Sequence, residues 1–335
     1  MDQVFPKPNQ RYKVLIRCAT YNHEKYIEDA LKGFVMQQTK FPFCAVVIDD
    51  FSTDGTADII RKYEKKYPDI IKGIYLQENY YSQKKPRTFL KPWENSAEYL
   101  ALCEGDDYWT DPLKLQKQVD ALDEHPECTI AFSKVQCVNR NKIILNSTIP
   151  RKNYFKTGFV TIDDFLRYQY GKGFWIFQTS SYLARLKFYS EVQDFEYYKI
   201  FPFSDDSFVV SYLLYGKGYY INEICSCYRV QSGGHTSHVK NDSSFAVSSQ
   251  KKVIVSLPIL DEYTEGKYHN YIKRRQLRTE FYIDYFQHNV LKILSPKYWK
   301  IYSGLPRKTF GIIFLGIVCP RLHRWLREKR NNMKE

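Results

Sequence analysis

Neither glycine-rich signature that cradles phosphate on backbone amides occurs in these 335 residues: there is no GxGxxG and no GxxxxGK[ST]. That argues against a dinucleotide enzyme and a P-loop NTPase. There is also no CxxC pair and no histidine at zinc-ligand spacing. The eight cysteines (Cys18, Cys44, Cys103, Cys128, Cys137, Cys225, Cys227 and Cys319) lie mostly inside apolar runs and read as buried free thiols. With no secretory signal at Met1-Asp2-Gln3 and no disulfide-like framework, a reducing cytosolic compartment is expected. Residues 310–319 form an uncharged run of ten, too short to cross a bilayer, which takes about 20.

With 44% hydrophobic and 26% charged residues, the chain is of folded composition and large enough for one domain with a sizeable extension. The net charge of +13 points to an anionic partner. Ten Lys/Arg against two acids fall in residues 296–335, so +8 of the total is a tail property. It suits a surface touching the C-terminal part better than a basic catalytic cleft.

Periodicity predicts a strand over residues 13–19, stopped by Thr20-Tyr21-Asn22, then a helix over 24–38 with Asn22 or His23 near its cap. A strand over 43–48 ends in Asp49-Asp50, and the turn-rich 51–56 leads to a helix over 57–67 and a third strand over 70–76. This alternation means a mostly parallel sheet with helices on both faces. A long polar loop over 77–91, a short helix over 94–98 and a strand over 99–103 follow, then a helix capped by Asp111, with Pro112 at its first position, to about 124. Residues 128–138 form another strand.

The strand over 99–103 ends in Glu104-Gly105-Asp106-Asp107. Carboxylates beside a buried strand are costly unless neutralised, and the nearest positive residue downstream is Lys114. A divalent cation suits them: Mg²⁺ and Mn²⁺ take hard oxygen ligands, and Mg²⁺ is commonly held by one or two carboxylates plus substrate phosphates. The plainer alternative is a turn at a strand end. In an open α/β sheet, ligands bind beyond the carboxyl ends of the strands, so Thr20-Tyr21, Asp49-Asp50 and the acidic cluster are expected to share one crevice.

Three ordered stretches, Val14-Leu-Ile-Arg-Cys-Ala-Thr-Tyr-Asn22, Val47-Ile-Asp-Asp-Phe-Ser-Thr-Asp-Gly-Thr56 and Glu104-Gly-Asp-Asp-Tyr-Trp109, resemble glycosyltransferase family 2, inverting enzymes of GT-A fold. The similarity covers roughly residues 12–235 and is nearest to bacterial enzymes of capsule, lipopolysaccharide and other surface glycans. It implies a nucleotide-sugar half over 12–138 and an acceptor half over 139–240; the residue pattern and charge beyond them predict a helical, basic region over 241–335. By the resemblance, Thr20, Tyr21 and Asn22 line the nucleotide pocket, and Asp50 accepts from the base, typically the imide of uracil. Glu104, Asp106 and Asp107 would form the DxD-type site for Mn²⁺ or Mg²⁺ and ribose. The chain departs by having Glu104 at the first acidic position and Phe51 where glycine is common.

In the second half, residues 173–186 look like a strand entering the acceptor side, and Phe203-Ser-Asp-Asp-Ser-Phe-Val209 opens a helix to about 215. The family places its catalytic base at the start of such a helix, so Asp205 or Asp206 is the expected base; Ser-Asp-Asp is also a good N-cap. Cys227-Tyr-Arg-Val-Gln-Ser-Gly-Gly-His235 resembles a Tyr-Arg-x-His segment in which Gln231 replaces the histidine, leaving His235 or His238 as candidates near the metal or diphosphate. The partners implied by the resemblance are a nucleotide-sugar donor, expected to be UDP-linked, and a glycan or lipid-linked saccharide acceptor. Residues 310–319, flanked by Arg307, Lys308, Arg321, Arg324 and Arg327, suit the interface of an anionic membrane, which predicts a peripheral protein at the inner face of the cell membrane and no nucleic acid partner. Two rival readings are a sugar-phosphate nucleotidyltransferase, which needs a basic glycine-rich loop after its first strand, and a non-catalytic surface-binding module.

Overall fold

The computed structural model describes residues 11–83, 85–86, 88–151, 153–230, 243–299, 301 and 315–316. They fall into two compact units, the first made of residues up to 169 with 174–199 and 203–231, the second of residues from 232 onward with 170–173 and 200–202.

The first unit is built on a ten-stranded sheet. Its strands are β1 (Tyr12–Thr20), β2 (Phe43–Asp49), β3 (Ile71–Tyr75), β4 (Ala97–Glu104), β5 (Tyr108–Trp109), β6 (Cys128–Asn139), β7 (Ile144–Ile149), β8 (Gly158–Val160), β9 (Leu183–Arg185) and β10 (Lys217–Val230). The order is β3-β2-β1-β4-β9-β6-β10-β5, with β7 beside β6 and β8 beside β10. β3, β2, β1 and β4 are parallel neighbours, as the alternation of elements requires. The short β9 runs antiparallel to both β4 and β6, and β10 runs parallel to β6.

All seven residues of β2 are buried, the run-on apolar pattern of a strand covered on both faces. One face carries Val14, Ile16 and Cys18 of β1 with Tyr99, Ala101 and Cys103 of β4. They pack with Ile27, Leu31 and Phe34 of the helix Ile27–Val35, Ile60 of the helix Thr56–Lys66, and Leu115, Val119 and Leu122 of the helix Lys114–Glu124. Arg17, alternating to the other face, donates to the Tyr189 hydroxyl on the helix Tyr189–Asp194.

Four local expectations are corrected. The first helix starts at Ile27, with Tyr26 as cap; Asn22 instead takes a left-handed conformation (φ 53°) and clamps two turns, its N–H donating to Ser52 Oγ at 2.9 Å and its Oδ1 accepting from Thr53 N at 2.8 Å. The short helix lies at Lys91–Glu94, not 94–98, because Pro92 fits its first turn and Ser96 Oγ closes it by donating to Trp93 O. The next helix begins at Lys114; Asp111 accepts from Leu113 N ahead of it. Residues 173–186 are not one strand, since Gln178 Oε1 accepts from Ser180 N at 2.8 Å and winds Thr179–Ser181 into a 3₁₀ turn, leaving only β9 extended.

The second unit is helical, with Ser243–Tyr263 and His269–Phe286 joined through Glu265 and Gly266 at positive φ. Phe281, Ile293 and Tyr298 form a small core there, and Arg278 donates to the carbonyls of Tyr170 and Gly171. Among the described residues, no helix is long and apolar enough to cross a membrane.

Candidate active site

The three predicted strand ends are neighbours. Thr20 pairs with Asp49 and Ala19 with Glu104; Asp50 N donates to Thr20 O at 2.9 Å, and Gly105 N donates to Ala19 O at 2.9 Å. Gly105 lets the acidic turn close on β1: a Cβ there would meet Thr20 Oγ1 at 2.5 Å and His23 Nδ1 at 3.0 Å. Thr20 is buried, with its hydroxyl 3.2 Å from His23 Nδ1, whereas Tyr21 and Asn22 are exposed. Asp50 is buried at the end of β2, where its two carboxylate oxygens accept from Tyr80 N at 2.8 Å and Tyr81 N at 3.0 Å. The next residue, Phe51, holds a left-handed backbone at φ 69°, the physical reason a glycine serves well there.

Glu104, Asp106 and Asp107 form one cluster, with one oxygen of each within 4.8 Å of the others. Glu104 is solvent-exposed at the rim, yet protein surrounds it on enough sides that desolvation, with Asp106 and Asp205 adding like charge, pushes its carboxyl up to about 8. Asp107 is buried, and desolvation together with Asp106 and Glu104 raises it well above the carboxylate range. Two donors oppose that shift: Arg229 N to Oδ1 at 2.8 Å and Gln178 Nε2 to Oδ2 at 2.6 Å. Three oxygen donors that repel one another, and whose field raises two of the three carboxyls, fit a hard divalent cation.

Lys114 is not the counter-charge. Its ammonium is buried, donates to Gln118 Oε1 at 2.7 Å and lies over the Trp109 ring at 4.2 Å. Among the described residues, Arg229 of β10 is a cationic residue that bonds to the cluster. Its Nε donates to Asp106 O at 2.8 Å, Nη1 to Arg140 O at 3.0 Å and Nη2 to Asp29 Oδ2 at 3.0 Å, and its plane lies near the Tyr26 and Tyr108 rings.

Asp205 and Asp206 occupy the first turn of the helix Ser204–Tyr215, whose cap position is Phe203. Asp205 lies within electrostatic reach of Glu104, and both aspartates act on the buried Tyr182. Gln169 donates through Nε2 to Asp206 Oδ1 and accepts from Ile176 N at 3.2 Å. Gln169 belongs to a π-helical stretch, Leu166–Gly171, a conformation frequent at functional sites. His235 and His238 lie outside the described residues.

Sequence reading missed Gln178, Gln169 and the part played by Arg229. Only Arg229 left a trace, in the Tyr228-Arg229 pair. The other two bond across 71 and 37 positions, separations that no local pattern encodes.

Residues 18–182 match the family described as glycosyl transferase family 2. Among curated proteins, an uncharacterized protein of Mycobacterium tuberculosis is 48% identical over 119 residues, 36% of this chain and 34% of that one. TarS of Staphylococcus aureus, a poly(ribitol-phosphate) beta-N-acetylglucosaminyltransferase, is 37% identical over 129 residues, 38% of this chain and 22% of that one. TuaG of Bacillus subtilis, a putative teichuronic acid biosynthesis glycosyltransferase, is 32% identical over 125 residues, 37% of this chain and 47% of that one. The matches thus span less than half the length of these relatives. Among solved structures, S. aureus TarS 1–349 in complex with UDP-GlcNAc is similar with a TM-score of 0.55 at 18% identity, covering 91% of this chain and 80% of that one. The mannosyltransferase PcManGT of Pyrobaculum calidifontis, in complex with GDP-Man and Mn²⁺, gives 0.51 at 18% identity, covering 96% and 85%. These likenesses establish the GT-A type of fold, and residues 18–182, just under half of the chain, match a glycosyl transferase family 2 domain.

Proposed function

We propose that this protein is an inverting glycosyltransferase that moves a sugar from a UDP-linked donor to a hydroxyl of a glycan or lipid-linked saccharide. The observation that carries the reading is the acidic triad at the end of β4, flanked by Thr20 and Asp50 and facing the field of Asp205. The UDP-GlcNAc bound by TarS supports the donor class, and the Mn²⁺ of PcManGT supports a metal.

Glu104, Asp106 and Asp107 would hold Mn²⁺ or Mg²⁺, which supplies charge stabilisation to the departing nucleoside diphosphate. Asp107 is oriented for this by Gln178 and the Arg229 N–H. Thr20, Tyr21 and Asn22 border the nucleotide, and Asp50, its plane fixed by Tyr80 and Tyr81, accepts from the base. Asp206 takes the proton of the acceptor hydroxyl; the Gln169 amide fixes its carboxylate, as a general base requires. Asp205, beside Glu104, adds negative charge on the cation side.

The protein is further read as peripheral on an anionic membrane. Leu291 (89% exposed) and Trp299 (64% exposed) present apolar surface in the helical unit, beside Lys292 and Lys297, which pair with Asp284 and Glu280; exposed apolar side chains of this kind suit a lipid interface.

A panel of UDP-, GDP- and dTDP-sugars, read by nucleoside diphosphate release with Mn²⁺ or with chelator, tests the reading. Metal-dependent release from one UDP-sugar is expected. Silence with every donor would favour the surface-binding module.

A further inference from the structure

We infer that the Trp175 indole is the platform on which the acceptor sugar stacks. The inference rests on the glycosyltransferase reading and deepens it. The segment 174–178 is tied at both carboxylate centres. Its Ile176 N–H donates to Gln169, which donates to Asp206, and its Gln178 donates to Asp107. Ile176, Phe177 and Gln178 are buried, while Phe174 and Trp175 remain 39% and 37% exposed.

An indole left that open has a fixed orientation here. Its ring meets Tyr228 edge to face, with centroids 5.1 Å apart at 86°, and Tyr228 adjoins Arg229, whose N–H holds Asp107. The neighbouring Phe174 ring is stacked on Tyr154 at 5.2 Å, and Tyr154 lies 4.8 Å from Tyr168. Trp175 thus has an aromatic neighbour before anything binds, and support of that kind lowers the ordering cost of binding.

The two hydrogen bonds and the Gln169 amide between them put the Trp175 backbone within about 10 Å of the Asp206 carboxylate. The segment that carries Trp175 is therefore held beside the proposed base. One face of a pyranose presents C–H groups, and the negative face of an indole attracts their positive edges. The ligand class is thus a saccharide with a pyranose at its accepting end.

The test uses the full chain and the donor that turns over, with methyl and p-nitrophenyl glycosides of glucose, N-acetylglucosamine, galactose and mannose as acceptor probes. Release without glycoside reports donor and metal use; its response to glycoside reports the platform. In Trp175→Ala the half-saturating glycoside concentration is expected to rise about tenfold, while donor KM and glycoside-free release stay within about twofold. Trp175→Phe, which keeps a ring, should recover most of the loss and guards against a folding defect. Unchanged glycoside saturation in Trp175→Ala, an equal rise in donor KM, or no glycoside response in the wild type each overturns the inference. Absence of any donor turnover overturns it together with the function on which it rests.

Discussion

Arg229 N–H donates to Asp107 Oδ1 at 2.8 Å across 122 positions of sequence, so β10 orients a carboxylate that belongs to the end of β4. The buried Arg229 side chain adds bonds to Asp106 O, Arg140 O and Asp29. Arg229→Met removes the guanidinium's bonds to all three acceptors, although Lys142 still pairs with Asp29 at 2.6 Å. A loss of about 3 to 5 kcal/mol is expected, measurable by urea unfolding. Arg229→Lys should recover little, since one ammonium cannot reach three acceptors set around a planar fork.

Loss of the acidic cluster should strike binding before turnover. Asp107→Ala and Asp106→Ala are each expected to weaken UDP binding in Mn²⁺ by more than about tenfold. Calorimetry with and without EDTA reads this. Equal affinity in wild type and variants under both conditions would move the metal away from these residues.

Asp206→Asn tests the proposed base. Turnover should fall about 10²- to 10⁴-fold with UDP affinity retained. Asp205→Asn should cost turnover less. Full transfer in Asp206→Asn would reject the assignment.

Burial lowers the Lys114 ammonium to about 8, against an ordinary value of 10.5. Below about 8 both folded and unfolded chains carry the proton, and folding bears the whole penalty. Between about 8 and 10.5 the unfolded chain binds more protons, so Lys114 makes stability rise with pH over that window. Lys114→Met is therefore expected to be more stable than wild type at pH 7, by about 2 to 3 kcal/mol after the lost bond to Gln118. The gap should narrow toward pH 10.5 in urea titrations; a constant gap contradicts the mechanism.

Membrane association has its own test. Flotation with phosphatidylglycerol vesicles should recover the full chain and lose most of a variant lacking residues 296–335. Leu291→Glu with Leu294→Glu should also weaken it, because both side chains are exposed beside Lys292. Identical flotation by all three proteins would sink this reading.

The meeting of the strand ends at the candidate site was legible because its signals are local. Strand ends announce themselves through apolar runs broken by Thr20, Asp49-Asp50 and Glu104-Gly105-Asp106-Asp107, and parallel pairing then brings them together. The helix opened by Ser204 was visible for the same reason. Side chains that hold the site from afar were not. Gln178 also wound the expected strand over 173–186 into a 3₁₀ turn, and Asn22, with the composition of a cap, spent its side chain on the neighbouring turn. Lys114, the nearest positive residue downstream in sequence, turns its ammonium to Gln118 and Trp109.

The buried thiols of Cys18, Cys44, Cys103, Cys128, Cys137, Cys225 and Cys227 give the chain an internal gauge of its own integrity. Burial raises the pKa of each, so the nucleophilic thiolate is scarce as well as shielded while the fold stands. Each becomes open to alkylation as its strand opens. Mass-resolved labelling along a urea ramp would therefore report, strand by strand, where any substitution loosens the sheet, without a substrate in hand.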